Sequence, residues 1–76
     1  PFNPSTSVRY ELPRTAHVTI TIYTLLGESV ATLVDQIEGP GTHTVVWDAG
    51  PMAAGVYFCK VTAGDRFDVR KMLLVR

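Results

Sequence analysis

Seventy-six residues, 46% of them apolar, with seven basic and seven acidic side chains, suffice for one small globular domain and leave little room for a substrate pocket. Formal neutrality argues against nucleic acid as a main partner, because phosphate binding needs a basic patch. One cysteine closes no intramolecular disulfide, the two histidines lack metal-ligand spacing, and no apolar run is long enough to cross a membrane; no staple, metal or cofactor is expected, so the core must hold the fold.

Pro1-Phe2-Asn3-Pro4 has neither the basic start nor the apolar segment of a signal peptide. The chain is expected to be a piece from the end of a longer protein, and any amino-terminal export signal would then lie on the preceding part. Residues 1–5 read as the end of a linker, with Pro1 and Pro4 unable to donate to a ladder, and a domain is expected over 6–76. Residues 7–12 alternate cleanly, Val8, Tyr10 and Leu12 on one face and Arg9 and Glu11 on the other, until Pro13 ends the strand. Residues 17–25 give the strongest strand expectation: Val18, Ile20 and Ile22 face the core while Thr19, Thr21 and Tyr23 face outward. Leu26-Gly27-Glu28 turns the chain, and residues 29–35 return as a strand with Val30 its firmest core member. A helix over 29–37 is the rival, because Val30, Leu33, Val34 and Ile37 lie at helical spacing; strand is favoured in a segment so short and flanked by strands.

Glu38-Gly39-Pro40-Gly41 is a turn, and no phosphate-cradling motif follows it. His43, Val45 and Trp47 then alternate with Thr42, Thr44 and Val46, and after Asp48-Ala49-Gly50-Pro51 a second run places Tyr57, Cys59 and Val61 on one face. Ala63-Gly64-Asp65 turns into a last strand over 66–75, with Phe67, Val69, Leu73 and Val75 on one side and Met72 and Leu74 on the other. A strand apolar on both faces belongs inside a sheet or on an edge that something covers. Six or seven strands at intervals of about ten residues, with a tryptophan on one and Tyr-x-Cys on a later one, predict an all-β fold: a small immunoglobulin-like antiparallel sandwich of about seven strands.

No residue set points to catalysis. His17 and His43 alternate with threonine or apolar neighbours in strands, Asp48 suits an Asx turn to the Gly50 region, and Ser5, Ser7 and Ser29 sit in no nucleophile elbow. Cys59 stands where an immunoglobulin domain places its second bridging cysteine, but Ile20 or Ile22 occupies the place of the first, so a buried apolar role is favoured. Tyr57 suits a tyrosine corner, its hydroxyl tying the strand to a nearby loop backbone. Carbohydrate binding is the rival function, but Tyr10, Trp47 and Tyr57 fall on core faces, leaving Tyr23, Phe58 and Phe67 on three different strands as candidate stacking surfaces.

Gly-x-His-x-Val-x-Trp-Asp over 41–48, Ala-Gly-Val-Tyr-Phe over 54–58 and Arg-Lys-Met-Leu-Leu over 70–74 together resemble the C-terminal sorting domains (type A) of the type IX secretion system. Phe2-Asn3-Pro4-Ser5 is similar to that family's opening and Leu26-Gly27-Glu28 to its first hairpin turn, so the resemblance spans the whole chain. It also extends to the immunoglobulin-like domain of the flagellar hook-capping protein. Such a resemblance implies a non-catalytic, monomeric module at the end of an exported Bacteroidota protein. An upstream cargo domain in the same chain would pass through the periplasm and be presented to the outer-membrane translocon, and a sortase-like peptidase would act on the module. The cargo would end at the cell surface, attached there or on a surface polysaccharide, or outside the cell. The positions matching the family's recurrent residues are Gly55, Tyr57, Gly64, Lys71, Met72, Leu73, Leu74, Val75 and Arg76.

Gly55, Tyr57 and Gly64 are each explicable by folding alone, whereas a core makes no demand on Lys71, which leaves it as the foremost signal residue. Residues 66–76 carry Arg66, Arg70, Lys71 and Arg76 against one acid, Asp68. That bias suits either a solvated strand or a protein receptor. Cys59 and the loop 49–53 depart from the family's commoner residues. The alternative function is a carbohydrate-binding or structural scaffold module appended to an extracellular enzyme; a scaffold could be followed by more chain, whereas a sorting signal must be terminal.

Overall fold

The computed structural model describes residues 4–76; Pro1, Phe2 and Asn3, which include the opening of the resemblance and most of the expected linker, lie outside the described residues. Six antiparallel strands form the fold: β1 (Ser5–Leu12), β2 (Ala16–Thr24), β3 (Ser29–Glu38), β4 (Gly41–Asp48), β5 (Gly55–Ala63) and β6 (Arg66–Leu74). They make a two-stranded sheet, β1-β4, and a four-stranded sheet, β3-β2-β5-β6. The all-β sandwich is as expected, with six strands rather than about seven. Strands of eight to ten residues with their turns use up the chain, so the repeat is longer than the ten residues assumed from the pattern.

Alternation decides which side chains meet between the sheets. Val18, Ile20 and Ile22 of β2 and Cys59 of β5 are wholly buried, and Val8, Tyr10, Leu12, Trp47, Tyr57 and Val61 complete the core with Ala49. Burying branched side chains at period 2 on a pleated surface is the main stabilising term for a domain of this size. The runs around Trp47 and Tyr57, adjacent in sequence, belong to opposite sheets and meet across the core, rings edge-on at 5.2 Å. Cys59 and Ile22 are neighbours within one sheet, so this pair does not reproduce an inter-sheet bridging position.

Residues 29–38 are a strand, and the structure explains their helix-like spacing. The β2–β3 ladder slips between Ile20 and Thr21, where Leu33 is passed over, and again between Ile22 and Tyr23, where Val30 is passed over. Each bulge adds one residue and shifts the inward phase of the alternation. Val30, Leu33 and Val34 thereby all pack against the core from partly buried positions, so Val30 is a flanking member of the core and not its firmest one.

β6 is an outer strand of its sheet. Met72 and Leu74 pack against the core, whereas Phe67, Val69 and Leu73 point away and are half or more exposed. Among the described residues nothing covers that face.

Candidate recognition site

Two glycines set the ends of the β5–β6 hairpin. Gly64 makes the turn with φ +61° and donates its N–H to His17 O at 3.1 Å, tying the turn to β2. Gly55 opens β5 with φ +146° and pairs with Leu74. A Cβ on either would meet open space, so the backbone angle alone favours glycine there. Tyr57 is buried, and its hydroxyl donates to Ala53 O at 2.6 Å, which is the predicted tie to a loop. The same loop holds the Asx turn, Gly50 N donating to Asp48 Oδ1 at 3.0 Å. These three predicted positions serve the hairpin and the loop beneath it.

The terminal six are placed differently. Met72 and Leu74 turn inward, Lys71, Leu73 and Val75 are exposed, and Arg76 donates through Nε to Met52 O at 2.7 Å and through Nη2 to Gly50 O. Residues 71–75 line one side of an open cleft of about 630 Å³; Pro4, Ser5 and Thr6 of the β1 end and Trp47 and Ala49 line the other. Five of the nine predicted residues thus share one site. Gly55 and Tyr57 border a smaller cleft of about 350 Å³ with Leu25 and Leu26, and Gly64 lies in the turn at the opposite end of the hairpin.

Pairing had no sequence signal for Ser5, Thr6 and Ala49, which come from the other end of the chain and a loop. Nor did spacing reveal Arg70, whose Nη1 donates to Arg9 O at 2.6 Å and whose Nε reaches Asp68 Oδ2 at 3.3 Å, so that it links β6 to β1. The basic bias over 66–76 therefore divides: Arg70 and Arg76 are held by backbone carbonyls, and Lys71 stays exposed beside the cleft.

The remaining polar groups tie strands together. His17 Nε2 and Asp35 Oδ1 lie 2.6 Å apart across β2 and β3. His43 stacks on Tyr10 at 5.4 Å and donates from Nε2 to Gly39 O at 2.8 Å. The Tyr10 hydroxyl donates to Glu38, joining the two sheets; burial and that carboxylate push the Tyr10 pKa from 10.0 up to about 12, while the same bond holds Glu38 low. Burial pushes the Cys59 thiol up, which disfavours the thiolate a nucleophile needs. Among the described residues no group of three or more histidine, cysteine or acidic side chains could hold a metal ion. Of the candidate stacking rings, Tyr23 and Phe58 are half-buried cross-strand neighbours and Phe67 is exposed with the Lys60 ammonium 5.0 Å from its ring centre.

The family described as "Secretion system C-terminal sorting domain" has a model that matches residues 1–76, the whole chain. The chain belongs to that family, the sorting domains of type IX secretion. No curated protein and no solved structure matches it. As a sorting domain it serves the export of a larger cargo protein through the secretion machinery to the cell surface or beyond. Along the cleft-lining end of this sorting domain, Met72 and Leu74 pack against the core while Lys71, Leu73 and Val75 are exposed.

Proposed function

We propose that residues 6–76 act, behind a linker ending near residue 5, as a non-catalytic address label read at the end of β6. The cargo crosses the periplasm, and the outer-membrane translocon recognises the exposed Lys71 and the segment 72–76 that ends β6, with Gly55, Tyr57 and Gly64 shaping the hairpin that presents them. A sortase-like peptidase then acts on the domain, and the cargo is released or fixed to the surface on polysaccharide. The observation that supports this is the gathering of Lys71, Met72, Leu73, Leu74 and Val75 along one open cleft at a sheet edge. Exposed edges lend themselves to strand addition, and a lysine beside one offers a charge for a receptor to pair with.

The test is localisation in a Bacteroidota host with an intact type IX system. Residues 1–76 are fused behind a signal peptide and a fluorescent reporter, with Lys71→Ala and a deletion of residues 72–76 alongside. Surface or medium reporter for the intact fusion, held in the periplasm for both variants, is the expected outcome. Periplasmic retention of a folded intact fusion would overturn the sorting role and direct attention to polysaccharide binding or scaffolding.

A further inference from the structure

The sandwich has unequal sheets, and the inequality leaves a wedge on one side. β1 is an edge of the two-stranded sheet and β6 an edge of the four-stranded one. The two run antiparallel, held at one end where Arg70 Nη1 donates to Arg9 O at 2.6 Å and parted at the other, where Pro4, Ser5 and Thr6 face residues 71–75 across about 630 Å³. Among the described residues no strand pairs with either facing edge. An edge of this kind presents unpaired N–H and C=O groups, for which another extended backbone is the natural partner.

The alternation of β6 dictates what such a partner must carry. Met72 and Leu74 lie in the inward row, in register with Tyr57 and Gly55; Lys71 and Leu73 lie in the outward row, in register with Phe58 and Val56. A strand laid beside β6 shares that alternation. Its residues opposite Met72 and Leu74 enter the cleft over Trp47 and Ala49 and must be apolar. Its residue opposite Leu73 is best apolar, and the one opposite Lys71 best acidic. Among the described residues Lys71 is the sole charged side chain lining the cleft, and residues 66–76 carry four bases against Asp68. Pairing β6 with β6 of a second copy would bring two such basic segments together, which disfavours self-association.

We propose that the wedge between β1 and β6 receives an extended acidic and apolar segment of the secretion machinery, added to β6 as a fifth strand of its sheet. This rests on the sorting function above and specifies the chemistry of the receptor's segment. The probes are a capped hexapeptide, Thr-Val-Ile-Val-Asp-Thr, and its reversed sequence, which between them cover both strand directions. Each is titrated into the isotopically labelled 76-residue chain and followed by amide NMR.

For one of the two peptides, shifts gathered at Ser5, Thr6 and residues 71–75 are expected. Lys71→Glu then weakens binding about fivefold, and replacing the peptide's Asp with Lys restores it. Lys71 is exposed, so the variant's spectrum reports directly whether the fold is kept. A peptide with alternate amides methylated is expected not to bind; equal binding would overturn strand addition. Absence of shifts at millimolar peptide in both directions, shifts elsewhere, or line broadening that follows protein concentration alone would also overturn the proposal, the last by assigning the edge to a second copy. Reporter export without peptide binding removes the wedge and keeps the sorting function; peptide binding with the reporter held in the periplasm does the reverse.

Discussion

β2 and β6 are both nine residues long and lie in the same sheet, yet they dispose of their apolar side chains in opposite ways. β2 sits between β3 and β5 and hides Val18, Ile20 and Ile22 completely. β6 sits at the edge, and Phe67, Val69 and Leu73 stand in water. An apolar residue at the centre has a folding reason to exist; one on the outward face of an edge strand does not, and Lys71 between two such residues strengthens the contrast. If recognition resides on the outward face of β6, as proposed, substitutions there should separate it from folding.

The largest expected effect is at the centre. Ile20→Ala removes a fully buried side chain and should cost about 3 kcal/mol, a large part of the stability of so small a domain, so urea unfolding followed by circular dichroism should lose most of its folded baseline. A cost below about 1 kcal/mol would break the comparison, because the centre would then be no more demanding than a surface.

Next comes the tie between β5 and its loop. Tyr57→Phe keeps the ring edge-on to Trp47 but removes the hydroxyl bonded to Ala53 O, and should cost about 1 kcal/mol of unfolding free energy in urea titration. Reporter export by this variant at the wild-type level would assign Tyr57 to folding alone; export lost while the domain stays folded would extend the signal from β6 into β5.

Much of this was legible because alternation writes burial directly into the sequence. Val8, Tyr10 and Leu12, Val18, Ile20 and Ile22, and Tyr57, Cys59 and Val61 are buried where the period of two puts them. The Asp48 turn and the Tyr57 tie were also readable, each being a local bond set by a short side chain or a ring near its loop. What stayed hidden depends on pairing. Two bulges scramble the alternation of β3, and nothing local says that β4 crosses to the sheet opposite β5. The candidate site was half legible: the motif residues of β6 were named, but its other wall, Pro4 to Thr6 with Ala49, exists only once the two sheets are stacked.

A smaller effect, visible through pH, tests how the sheets are held together away from β6. Glu38 accepts from the buried Tyr10 hydroxyl and from Gln36 Nε2, and the Tyr10 bond chiefly holds its pKa below 4.5. A carboxyl lowered by folding adds stability above its unfolded value, lost as pH falls through the folded one. Tyr10 is shifted the other way, from 10.0 to about 12, so its share is complete below pH 10.0 and lost between there and about 12. Tyr10→Phe should therefore flatten the stability profile at both ends, and subtracting the two profiles isolates the pair. A difference that does not change with pH would mean that the hydroxyl contributes packing and no linkage.

The smallest expected effect on stability carries the most weight for function. Leu73 is 70% exposed and in register with Val56 on the outward face, so Leu73→Ala should change the unfolding free energy by no more than about 0.5 kcal/mol. Export of the reporter should nevertheless fall, because Leu73 lines the cleft beside Lys71 and offers the apolar surface that a bound strand would cover. Ile37 is the matched control, 71% exposed on β3 at the far edge of the same sheet; Ile37→Ala should leave both stability and export unchanged. Equal loss of export from the two would show that exposed apolar surface acts anywhere on the sheet, and β6 would lose its special standing. Loss confined to Leu73 in a domain as stable as the wild type places recognition at the one edge where the outward apolar residues border a cleft and a lysine.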